Sequence, residues 1–182
     1  MHNFTHALCS AAVLLGVLSE AFSGHGLGAV RSAHADEGES SFSTGVAVSG
    51  FSIPDHNPLG GLIGFDYEYS VTEAVWLKLS AGGGTYYDDG APAYAGYSHV
   101  GISYLIDVLQ YVPYIDLGVG VLAVAADDVE EPILPLIEIG VGMDFLTSKE
   151  RSYGVFARFE SFLGRSAFYS IGVRRSWRWG FF

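Results

Sequence analysis

Ten side chains able to carry or exchange a charge sit on alternate positions of otherwise apolar, glycine-rich segments: Asp66, Glu68, Lys78, His99, Asp116, Glu138, Asp144, Arg158, Glu160 and Arg174. On extended backbone, alternate residues project to one face, so these groups are expected to meet one another. Ion pairing, cation binding and acid-base chemistry around His99 are the reactions open to them. A tight turn after Ser70 sets Glu68 opposite Lys78, and in the last hairpin Glu160 is expected to face Arg174, with Arg158 one step further along. Such pairs are structural in type, and stranding one partner costs about 3 to 5 kcal/mol. Arg158→Ala is therefore expected to lower the melting point more than Glu68→Ala and Lys78→Ala made together. Acids outnumber bases in the set, so either some carboxyls hold protons or the shared face binds cations.

A second group of acids lies in polar connections: Asp88 and Asp89, then Asp127 and Asp128 with Glu130 and Glu131. Their oxygens are the ligands that divalent cations prefer, but no EF-hand spacing is present, so a solvated anionic surface is the simpler expectation. No cofactor is implied, and no metal site is assigned. A net charge of −11 works against nucleic acid, whose phosphates it would repel.

These side chains must be positioned by strands, because the dominant period beyond residue 40 is two. Ile63, Phe65, Tyr67, Tyr69 and Val71 share one face, while Gly64, Asp66, Glu68 and Ser70 share the other. The pattern returns at Val75–Ala81, Ile115–Val121, Ile137–Phe145 and Tyr153–Glu160, and less regularly at Phe42–Phe51, Tyr94–Tyr104 and Phe168–Trp177. That makes eight candidate strands of roughly 10 to 13 residues, the length of tilted transmembrane strands. The fold class expected is all-β, an eight-stranded antiparallel up-and-down barrel.

Turns are expected at Ser70–Val75, Asp107–Val112 and Thr147–Ser152, and loops at Ile53–Pro58, Tyr87–Ala93, Ala126–Pro132 and Phe162–Ser166. A soluble carrier of a small apolar ligand also alternates, with its apolar set inside. Here the polar set is too rich in glycine and too poor in Lys and Glu to make a solvent face. In a narrow lumen those glycines relieve crowding. Aromatics near strand ends are expected to form two interfacial girdles: Tyr69, Tyr104, Tyr111, Phe145, Tyr153 and Trp177 at one, Phe51, Tyr86, Tyr87, Tyr94, Tyr97 and Phe168 at the other.

The apolar run Ala7–Leu18 has the length of a signal-peptide core and is too short to span a bilayer. Residues 1–35 are expected to be that signal, with cleavage after Ala35 or alternatively after Ala21, and residues 36–182 to be the barrel domain. No Lys or Arg precedes the run. Cys9 falls inside it, so the mature part has no thiol.

The strand Tyr169-Ser-Ile-Gly-Val-Arg174, leading to Phe181-Phe182, and the strand-turn-strand Val100–Gly120 resemble the eight-stranded outer-membrane β-barrel superfamily that includes the OmpA barrel domain and the OmpX-type and OmpW-type proteins. The resemblance covers the whole mature chain. It implies an integral outer-membrane barrel with both termini periplasmic, having a structural, surface-interaction or narrow-permeation role without catalysis. It also implies contact with outer-membrane lipid and lipopolysaccharide, passage through periplasmic chaperones and the barrel-assembly machinery, and divalent cations as candidate partners of the acidic loops. Arg175 and Arg178 are expected to interrupt the last register near Trp177. Small outer-membrane lipid-modifying enzymes are the alternative class. Tyr97-Ser-His-Val-Gly101 lacks the His-x-Ser-Asn pattern of lipid A deacylases, and its phase turns His99 inward.

Overall fold

Eight antiparallel strands close into one barrel in chain order: β1 (Ser40–Ser52), β2 (Leu59–Ser70), β3 (Val75–Asp88), β4 (Ala91–Leu105), β5 (Tyr111–Ala125), β6 (Ile133–Ser148), β7 (Arg151–Ser161) and β8 (Ala167–Trp179). The computed structural model describes residues 38–52, 58–88, 91–106, 110–125, 133–161 and 167–179. The expected signal segment with both cleavage sites, the residues Asp89, Asp127, Asp128, Glu130 and Glu131, and Phe181-Phe182 lie outside them, as does the side chain of Asp88.

All eight expected strands are present, but β3 to β6 have 14, 15, 15 and 16 residues. The ladder runs on after the apolar band ends, to Asp88↔Ala91 between β3 and β4, because an unpaired backbone group must otherwise find another partner. Closure is complete: β1 pairs with β8 from Ser40↔Trp179 to Ser52↔Ala167. No edge is left to recruit another strand, and every backbone polar group of the ring can be satisfied within it, the condition for crossing hydrocarbon.

The alternation decides which face meets what. Ile63, Val119 and Ile171 are 55%, 59% and 68% exposed, whereas Asp66, Lys78 and Asp116 inside are at most 4% exposed. A soluble carrier would have the reverse arrangement, so that alternative is set aside. β8 also corrects an expectation. Arg175 and Arg178 do not interrupt it: Arg175 stays in the outward phase with Val173 and Trp177, Arg178 is buried in the inward phase with Arg174 and Ser176, and the strand continues through Trp179.

Short turns join the strands at one end. In the first, Val71 donates its N–H to the Val75 carbonyl at 2.9 Å, and in the second Ile106 donates to Pro113 at 2.8 Å. The connections expected at 53–58, 126–132 and 162–166 fall between strands at the opposite end, whereas the loop expected at 87–93 is overtaken by the ladder: Tyr87 pairs with Pro92 and Asp88 with Ala91, leaving only 89–90 between β3 and β4.

Candidate functional site

The interior is filled in three layers. Nearest the turn end, the Arg174 guanidinium forks onto Asp144, with Nε donating to Oδ1 and Nη2 to Oδ2, both at 2.9 Å. Asp144 also accepts from Ser152 at 3.3 Å and lies 3.6 Å from Arg178 Nη2. Arg174 stacks over the Tyr114 ring at 4.1 Å and reaches Glu68 at 3.5 Å, while Arg178 lies over Trp76 at 5.6 Å. The planar fork matching a carboxylate is the strong form of this contact.

At mid-height, Lys78 donates to Asp116, whose other oxygen accepts from Ser103 at 2.6 Å. Glu138 lies 3.6 Å from Lys78 and 3.5 Å from Arg158, and contacts His99 Nδ1 through its second oxygen. Arg158 donates to Asp66 at 2.6 Å and to the Tyr97 hydroxyl at 3.0 Å, and Ser80 completes Asp66 at 2.6 Å. A buried charge is tolerated only with such pairing.

Toward the loop end the filling turns apolar. Phe51, Tyr86 and Phe168 form a ring cluster, with centroids 4.7 Å apart for Phe51–Tyr86 and 4.9 Å for Phe51–Phe168. Leu62, Leu122 and Leu136 pack into the same core, and Ser49 donates to the Tyr86 hydroxyl at 2.9 Å.

The glycines leave room for these large groups. A Cβ at Gly142 would sit 2.2 Å from the Tyr114 ring, one at Gly64 or Gly82 would meet Tyr97 at 2.6 Å, and one at Gly154 would meet Asp144 at 2.1 Å.

All ten charged residues singled out in the sequence are buried here, but their partners differ from those expected. Glu68 and Lys78 are opposite in register, yet Lys78 turns to Asp116 and Glu138, and Glu68 to Arg174. Glu160 does not face Arg174. The β7–β8 register pairs Glu160 with Phe168 and Arg174 with Gly154, since Ser161 stands opposite Ala167 and a ladder counted from there puts Arg174 six positions away from Glu160's partner. Glu160 is buried with neither carboxyl oxygen hydrogen-bonded, and it stands opposite Glu138.

The second girdle is corrected as well. Tyr87 and Tyr94 face outward, but Phe51, Tyr86, Tyr97 and Phe168 are at most 5% exposed and lie in the lumen. Arg178, Ser80, Ser103, Ser152, Tyr97 and Tyr114 also belong to the network, none of them among the ten charged positions. Parity was the signal for Arg178, which shares its phase with Arg174.

His99 touches Glu138 through Nδ1, has Nε2 without a hydrogen bond among the described residues, and meets the Tyr97 ring edge-on at 5.5 Å. It is walled off from the lipid face, and no serine is shown bonded to it. No group of three His, Cys, Asp or Glu side chains able to hold a metal occurs among the described residues.

No protein-family model and no curated protein sequence matches this chain. Solved structures do. Neisserial surface protein A aligns with a TM-score of 0.67 at 11% identity, covering 78% of this chain and 99% of that one. Ail, the attachment invasion locus protein of Yersinia pestis, aligns at 0.56 and 17% identity over 79% and 100%. The N-terminal barrel domain of Pseudomonas aeruginosa OprF aligns at 0.53 and 14% identity over 75% and 97%. At these identities the likeness is one of architecture, and with the closed antiparallel ring it establishes that this chain has the eight-stranded outer-membrane β-barrel fold.

Proposed function

We propose that this chain is an integral outer-membrane protein whose sealed barrel presents its loop end for a structural or surface-interaction role, without catalysis and without bulk permeation. The observation that carries this reading is the filled lumen: charged layers at the turn end and at mid-height, then an aromatic and aliphatic layer beneath the loops. Eight strands enclose an interior that side chains can fill, and here they fill it. Against an enzymatic role stands His99, enclosed in the lumen, whereas a lipid-modifying nucleophile and base need access to the bilayer.

The orientation we propose puts the short turns and both strand termini in the periplasm, since longer loops face outward in this architecture. Asp88, Asp89, Asp127, Asp128, Glu130 and Glu131 then give the surface an anionic rim suited to cationic partners or to divalent ions bridging lipopolysaccharide phosphates. In the same proposal, residues 1–35 are the export signal, and periplasmic chaperones and the barrel-assembly machinery are the folding partners.

Two measurements test the reading. Folded barrel from an outer-membrane fraction is expected to migrate differently in SDS before and after boiling. Reconstituted in a planar bilayer, it is expected to give no conductance steps. Stable channel openings would overturn the sealed-barrel reading, and absence of a heat-dependent shift would overturn the membrane barrel itself.

A further inference from the structure

Among the described residues, the outward faces of the eight strands carry two charges, Arg151 and Arg175. Both lie at the turn end of the β7–β8 pair, where Arg151 stands opposite Trp177 and Tyr153 opposite Arg175. The guanidiniums thus occupy one diagonal of a four-residue patch and the rings the other. Arg175 lies over both rings, 5.4 Å from the Tyr153 centroid and 5.0 Å from that of Trp177, and its Nε is buried without a hydrogen-bond partner. On the far side Phe42 stacks against Trp177 at 6.3 Å. Lys149 lies in the exposed turn that precedes Arg151, beside Glu150.

An arginine on a lipid-facing position is unfavourable in hydrocarbon and becomes tolerable as it nears the interface, where its stem can lie along apolar surface and its head can reach an anion. Trp and Tyr mark the headgroup level. Clamped between two such rings, the Arg175 fork is held at that level, and its planar donors match a phosphate. In a chain of net charge −11 this patch is a local inversion of sign, so charge complementarity selects an anion.

We infer that Arg151 and Arg175, framed by Tyr153 and Trp177, bind the headgroup phosphate of an anionic glycerophospholipid in the periplasmic leaflet. The inference rests on the membrane-barrel reading and on its orientation.

The test is native mass spectrometry of the folded full-length barrel in micelles, offered phosphatidylglycerol or phosphatidylcholine of the same acyl chains. Wild type is expected to retain phosphatidylglycerol preferentially, by roughly fivefold per guanidinium. In Arg151→Gln with Arg175→Gln, retention of the two lipids should become equal. Should the double variant not fold, the single variants carry the test, each losing about fivefold. Equal retention by wild type, or an undiminished preference in the folded variants, overturns the site. So does a preference for lipid A when lipid A and phosphatidylglycerol are offered together in a parallel sample, which would put this end in the outer leaflet. The heat-dependent SDS shift, run on each sample, separates failure of this site from failure of the barrel reading.

Discussion

Replacing Arg174 by Met removes the charge while keeping a flexible stem over Tyr114, and the structure says which carboxylate suffers. Asp144 loses two hydrogen bonds of 2.9 Å but keeps Arg178 at 3.6 Å and Ser152 at 3.3 Å. Glu68 loses its 3.5 Å ion pair and keeps the Ser103 hydroxyl at 3.4 Å and the weaker attraction of Lys78, which is opposite it in register but turned to Asp116. A buried carboxylate is stranded, so Arg174→Met is expected to cost about 3 to 5 kcal/mol. The diagnostic step is a second substitution. In the wild-type background Glu68→Gln removes a weaker partner of an arginine still forked onto Asp144, a loss of about 1 kcal/mol. In the Arg174→Met background the same change relieves the stranded charge and should restore about 1 to 3 kcal/mol. The double-mutant cycle therefore predicts a change of sign. Urea unfolding in lipid vesicles, followed by tryptophan emission and by SDS mobility in parallel, gives the four stabilities. A cost below about 1 kcal/mol for Arg174→Met, or Glu68→Gln destabilising both backgrounds alike, would refute the lumen network as drawn. The comparison suggested by sequence, Arg158→Ala against Glu68→Ala with Lys78→Ala, does not isolate a pair, because losing Lys78 strands Asp116 and Glu138 as well.

Three further outcomes follow from the packing. Glu160→Leu should stabilise by about 1 to 3 kcal/mol in the same urea assay, since it replaces a buried carboxyl that has no hydrogen-bond partner; lost stability would show that Glu160 holds a proton or cation contact worth more than its burial costs. Phe168→Ala should cost about 3 to 5 kcal/mol yet give no conductance in a planar bilayer, because the Arg158, Asp66 and Tyr97 layer remains. Gly101→Ala should destabilise by about 1 to 3 kcal/mol, its Cβ falling 2.2 Å from the Leu117 carbonyl oxygen, whereas Gly61→Ala, with nothing within 4 Å, should leave the unfolding midpoint unchanged.

Strand number, strand order and the inward phase of the ten charged residues were legible because a period of two survives any uncertainty about strand ends. What failed was whatever parity alone leaves open. Phe51, Tyr86, Tyr97 and Phe168 suit an outer girdle by residue type and position, although three of them share their phase with charged inward residues: Tyr86 with Lys78, Tyr97 with His99, Phe168 with Arg174. Carrying the phase to the strand ends would have put them in the lumen. Partner choice was not available from sequence in the same way. A closed ring brings residues of distant strands within reach of one another, as with Arg158 on β7 and Asp66 on β2, and Lys78 bonds Asp116 two strands away in preference to the cross-strand neighbour Glu68. Arg174 and Asp144 needed the register of the last hairpin together with that of β6 and β7.

Arg174 and Arg175, adjacent in sequence, bring the sealed interior and the lipid-facing patch under one rule. One points inward onto Asp144, the other outward between Tyr153 and Trp177. A one-residue slip of β8 would reverse every position: Tyr169, Ile171, Val173 and Trp177 would crowd a lumen already filled, while Ser170, Arg174, Ser176 and Arg178 would turn to hydrocarbon. Asp144 and Glu68 would lose Arg174 in the same step. Both faces of the closing strand thus penalise the same error. The arginines that seemed to spoil the alternation are therefore among the residues that fix its register, and with it the closure of β8 onto β1.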